Sequence, residues 1–195
     1  MEKYLFMKKV IDSISQGDFF RKAFAIFLRV LALVITITGL VGLVTIWKIM
    51  SADSVKMVAG IVIFQIFFIF ALYMVVHALL IRAGHIAELP ESDYTVIPIA
   101  SVFFKLCGEM YASFAAIMSL AGGVLIWFIG REAFYFIGKV SIFKYGFQTG
   151  SDFSGGLTFI IGGWLVAFFV LVIFYFLSEA VVVMTDIAKN TKKNK

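Results

Sequence analysis

Four long stretches of this chain contain no Lys, Arg, Asp or Glu: residues 30–47, 57–81, 110–130 and 153–178. A helix needs about 20 mostly apolar residues to cross the hydrocarbon core of a bilayer. Three of the stretches meet that length. The first reaches it once residues 23–28, on the other side of Arg29, are included. Backbone N–H and C=O groups in lipid must bond within their own segment, so each stretch is expected to be a helix. Composition points the same way, since 62% of the 195 residues are apolar and only 15% are charged. A soluble domain of this size has too little interior to hide that much apolar surface.

The expected fold is therefore all-α and polytopic, with four transmembrane helices in a domain covering residues 18–185. The expected spans are roughly 23–49, 56–82, 98–130 and 157–184. The first apolar run is far longer than the roughly 7–15 residues of a signal-peptide core, so it is expected to remain as an anchor. Residues 1–17 read as an interfacial amphipathic helix, because Met7, Val10, Ile11 and Ile14 share one helical face. Gly17 can end that helix and Asp18 can cap the next. Residues 186–195 form a basic tail.

Orientation follows from Lys and Arg in the flanks. One side carries ten: Lys3, Lys8, Lys9, Arg21, Lys22, Arg82, Lys189, Lys192, Lys193 and Lys195. The other carries five: Lys48, Lys56, Arg131, Lys139 and Lys144. By the positive-inside rule both termini are expected in the cytoplasm, in a plasma or inner membrane. The net charge of +5 is then an orientation signal and a source of contacts to anionic headgroups. Nothing in the pattern resembles a nucleic-acid-binding module.

The break at residues 89–93 separates the second and third spans, and Pro98 suits the first turn of the third. Ser154, Gly155 and Gly156 read as loop, which puts the start of the fourth helix near Leu157. The connection from Arg131 to Gly156 carries Phe134, Tyr135, Phe136, Phe143, Tyr145, Phe147 and Phe153 among lysines. Such a mixture belongs at a headgroup interface, and a partner surface is the sharper alternative.

The first and third spans align without gaps at an offset of 80, with identities that include Gly42/Gly122, Trp47/Trp127 and Ile49/Ile129. The second and fourth align more weakly at 101, through Phe67-Phe68 with Phe168-Phe169 and Ile86-Ala87 with Ile187-Ala188. Two helices per unit make this a parallel 2+2 repeat, related by an axis along the membrane normal. Thr38 and Gly42 on the first span, and Ala115, Ser119 and Gly123 on the third, are small residues four apart. These faces are expected to let the first and third spans meet.

Ionisable groups within spans are the usual pointers to function. Here they are Arg29, His77, Lys105, Glu109 and Glu179, all near one end of their helices, while Gln65 is the main polar residue near the midplane. The offset of 80 places Arg29 and Glu109 at similar depth, which suggests an ion pair. Two readings compete for this cluster. One is a salt-bridge brace with snorkelling side chains. The other is a cytoplasm-facing vestibule in which Glu109 and Glu179 bind a cation or relay protons.

Catalytic, metal and cofactor constellations are absent from the sequence. His77 and His85 are the only histidines, too few for a typical zinc site and badly placed for a haem. Cys107 is the only cysteine, so no intramolecular disulfide forms. There is no P-loop and no GxSxG elbow. Gly122-Gly123 and Gly162-Gly163 lie within apolar runs and suit helix packing. The expectation is a non-enzymatic membrane subunit or scaffold without a cofactor, acting with a membrane-protein partner or as a homo-oligomer. A small transporter or channel component is the alternative.

Overall fold

The computed structural model describes residues 18–49, 55–90, 94, 96–130, 132–133, 150 and 152–193. Among them the chain is all-helical, with four helices and no strand. They are α1 (Asp18–Ile49), α2 (Val55–Ala87), α3 (Val96–Ile129) and α4 (Phe153–Lys193). All four are long and apolar enough to cross a membrane, as in a multi-pass membrane protein. The expected interfacial helix over residues 1–17 and nearly all of the aromatic connection lie outside the described residues.

The helices run longer than the spans expected from sequence. At 1.5 Å per residue the 41 residues of α4 extend about 60 Å, twice the roughly 30 Å of a hydrocarbon core. Its start corrects the sequence reading, because Gly155 and Gly156 belong to its first turn and not to a loop. Asp152 caps that turn: its Oδ1 accepts from the Gly155 N–H at 2.9 Å and from the Ser154 hydroxyl at 2.9 Å. The glycines are there for close approach. A methyl on Gly155 would overlap the Gly150 carbonyl, and one on Gly156 would overlap the Trp127 indole. At the end of α3, Gly130 takes a φ of 61°, the left-handed conformation that stops a helix.

The packing order follows the chain. α1 packs on α2, α2 on α3, and α3 on α4, while α1 barely touches α3. Short connections join α1 to α2 and α2 to α3 as antiparallel neighbours. The end that carries the start of α1, the α2–α3 connection and the end of α4 is here termed proximal.

Two apolar cores join α1, α2 and α3. The distal one contains Ile46, Ile61, Phe64, Ala121, Leu125 and Ile126. The proximal one contains Leu28, Ala32, Val75, Leu79, Ala83, Ile86, Ile99 and Leu106. The α3–α4 interface, the most extensive of all, is built on small residues instead. Gly108 lies against Phe174, Gly122 against Phe159, Gly123 against Ile160 and the Gly156 carbonyl, and Gly163 against Ser119. Close backbone approach of this kind is how helices associate in lipid, where burial of apolar surface supplies no net drive.

The small-residue faces therefore meet other partners than expected. Ala115 and Ser119 are buried, and the stripe that runs through them to Gly123 faces α4, not α1. On α1, Thr38 is exposed and Gly42 is in loose contact with Phe68 of α2; the tight approach is Gly39 against Leu72. Spacing reveals that such a face exists. It carries no information about which helix will occupy it, and α2 stands between α1 and α3.

The two hairpins are also packed in different registers. Under offsets of 80 and 101, the contact of Gly42 with Phe68 would correspond to Gly122 with Phe169. Gly122 instead meets Phe159, nearly three turns away from that position.

Candidate polar site at the proximal boundary

The charge-free run of α2 ends immediately before Arg82, and that of α3 begins immediately after Glu109. Counting about 20 helical residues inward from Trp47, Trp127 and Phe153 reaches the level of Arg29, Glu109 and Tyr175 to within a residue or two. A hydrocarbon core of ordinary thickness that starts at those aromatics would end near the level of Arg29, Arg82, Glu109 and Tyr175. A site at this depth has lipid tails on one side and headgroups on the other.

Three helices converge there on the Glu109 carboxylate. Arg82 of α2 donates from Nε to Oε2 at 2.8 Å and from its second terminal nitrogen to Oε1. Tyr175 of α4 donates its hydroxyl to Oε1 at 2.6 Å. The fork of the guanidinium matches the two carboxylate oxygens, which makes this the strongest kind of side-chain pairing. The side chains of Arg82 and Glu109 are 17% and 25% exposed, so the pair is largely, but not wholly, withdrawn from its surroundings.

Further polar groups surround this clamp. The other terminal nitrogen of Arg82 lies 3.3 Å from His85 Nδ1, one turn along α2. Lys105 lies one turn from Glu109 on α3, and its Nζ stands over the Tyr175 ring, 5.5 Å from the centroid. Nearer the proximal tip the buried hydroxyls of Ser101 and Ser178 bond to each other at 2.7 Å, tying α3 to α4 again. Arg21 of α1 donates to the Leu89 carbonyl just past α2.

Of the five ionisable residues singled out from sequence, the structure gathers Lys105 and Glu109 around Tyr175. Arg29 is exposed on α1, and Glu109 is paired with Arg82 instead. The depth match across the offset is reasonable, but α1 packs on α2, and Arg29 points to the outside, where a long side chain can snorkel to headgroups. His77 is exposed and stacks on Tyr73, with ring centroids 5.5 Å apart. Glu179 is exposed one turn beyond Tyr175 and lies outside the clamp. Sequence reasoning counted Arg82 only as a flanking charge and passed over Tyr175.

Several other polar groups within the spans have hydrogen-bond partners of their own. Gln65 donates to the Leu43 carbonyl of α1 at 2.9 Å. Thr36, Thr45 and Thr158 each bond the carbonyl four residues earlier. Trp127 donates to the Phe153 carbonyl at 3.0 Å and stacks on its ring, and Trp164 donates to the Ala116 carbonyl at 3.1 Å. Among the described residues no group of three or more His, Cys, Asp or Glu is arranged to hold a metal ion. Comparison with family models, curated proteins and solved structures finds no match to this chain.

Proposed function

We propose that this protein is a non-enzymatic membrane subunit or scaffold, with both termini in the cytoplasm, and that its proximal polar cluster is a structural clamp. The observation that carries the reading is the engagement of Glu109, whose two oxygens take three donors from two neighbouring helices. A carboxylate so engaged holds α2, α3 and α4 in one arrangement. To hand its oxygens to a cation or a proton it would have to loosen this bidentate pair, at a cost of about 1–3 kcal/mol for a partly exposed pair. This weighs against the competing reading of a vestibule lined by Glu109 and Glu179.

A scaffold works through its surfaces. α1 and α4 are the least covered helices, with Leu33, Ile37, Val41 and Val44 exposed on one, and Phe168, Phe169, Ile173 and Phe176 on the other. Lipid covers such faces in a lone bundle, and a partner's helices cover them in a complex. The ten-to-five asymmetry in Lys and Arg supports the reading that the proximal end, and with it both termini, faces the cytoplasm. Purification in mild detergent followed by identification of co-purifying proteins tests the proposal. A stoichiometric membrane-protein partner is the expected result, and a homo-oligomer enclosing a polar axial path would favour transport.

A further inference from the structure

We infer that the proximal cluster holds an anionic phospholipid, with the lipid phosphate seated against Lys105 on the outward side of the Arg82–Glu109–Tyr175 clamp. The inference concerns a ligand of this cluster. It requires the clamp geometry but not the scaffold role, since a transporter with the same clamp would hold the same lipid.

Depth supplies the first argument. The clamp lies at the edge of the hydrocarbon region, and Lys105 and His85 each lie one turn further out, where lipid phosphates are found. Charge supplies the second. Arg82 and Lys105 bring two formal positive charges and Glu109 one negative, so the clamp and Lys105 together carry +1, with the exposed Glu179 one turn beyond Tyr175 outside this count. Geometry supplies the third. Glu109 is engaged by Arg82 and Tyr175 and makes no ion pair with Lys105, although the two are four residues apart on α3. Among the described residues Lys105 has no carboxylate within ion-pair distance, and its contact is the face of Tyr175.

A ring face attracts an ammonium group without accepting its N–H donors in the way an oxygen does. Lys105 therefore keeps N–H donors for an anion, in a half-buried position against an aromatic ring. A phosphodiester is the anion available in quantity at that depth. It meets the same need that basic pockets between helices meet when they bind anionic headgroups. Tyr175 thus has two roles: its hydroxyl closes the clamp and its ring holds the cation that faces the lipid.

Native mass spectrometry of the detergent-purified full chain tests this, with phosphatidylglycerol titrated against phosphatidylcholine of the same acyl chains. One saturable phosphatidylglycerol per protein is expected. Its preference over phosphatidylcholine should fall about fivefold in Lys105→Gln, the factor a single basic side chain contributes near a lipid surface. Lys105→Arg should retain it. Circular dichroism confirms folding of each variant, and because Lys105 is partly exposed both should fold. An unchanged preference in Lys105→Gln would overturn the inference. So would an equal fall in Lys22→Gln, which would reveal a diffuse charge effect of the proximal end, or displacement of the lipid by millimolar inorganic phosphate, which would reveal a site for the free anion.

Discussion

Arg82 and Glu109, on neighbouring antiparallel helices, meet in a two-point contact at the level where the charge-free runs of both helices end. Removing either partner leaves a charge uncompensated at the edge of the hydrocarbon. For a fully buried pair the cost is about 3–5 kcal/mol. Here a quarter of Glu109 remains exposed, which lowers the expectation for Arg82→Gln to about 1–3 kcal/mol. The exchange Arg82→Glu with Glu109→Arg should recover much of the folded yield lost in either single reversal. Arg29→Gln should be nearly silent, within about 0.5 kcal/mol, because Arg29 stands outside the clamp. Reversible unfolding in detergent measures all of these.

The paired glycines of α4 give a control built into the helix. A methyl on Gly163 would overlap Ser119 Cβ and lie 2.7 Å from its hydroxyl oxygen, whereas one on Gly162 meets nothing within 4 Å. Gly163→Ala should destabilise by about 1–3 kcal/mol through overpacking of the α3–α4 interface. Gly162→Ala should be neutral or slightly stabilising, since alanine favours the helix by up to about 1 kcal/mol. Thermal midpoints of the two variants, measured side by side, check the difference in sign.

Much of this architecture is legible in the sequence because lipid imposes a length and a polarity that a charge-free run records directly. The four spans follow from that alone. The start of α4 does not, because Gly155 and Gly156 read as loop when only their propensities are considered. Their function lies in the closeness of Trp127 and Gly150, which are distant in sequence or separated by a turn. The ion pair shows a similar limit. The offset of 80 supplies a depth for Arg29 but no direction around the helix axis, so it could not tell whether Arg29 faces α3 or lipid. A signal for the true partner was present: Arg82 closes one charge-free run, Glu109 opens the next, and a short connection sets the two helices antiparallel. Tyr175 carried no comparable mark, being one aromatic among many on α4.

At the distal end, the Asp152 cap makes the start of α4 sensitive to acid. The Gly155 N–H, and after it the Ser154 hydroxyl, hold the Asp152 carboxyl below its ordinary value. A carboxyl lowered in the folded state contributes stability in full above its unfolded value, near 3.9, and loses it as pH falls through the folded value. The difference in thermal midpoint between wild type and Asp152→Ala should therefore be constant from neutral pH down to about 5 and shrink below about 4. A difference that grows on acidification would contradict the cap.

The central claim is that Glu109 braces the bundle and does not move ions. Proton and monovalent-cation flux into proteoliposomes containing wild type, Glu109→Gln or Glu179→Gln at equal folded amounts tests it most directly. The account predicts that wild type shows no flux above protein-free vesicles, that neither variant differs from it, and that Glu109→Gln differs only in stability. Wild-type flux that disappears in Glu109→Gln or Glu179→Gln while the protein remains folded and inserted would contradict it.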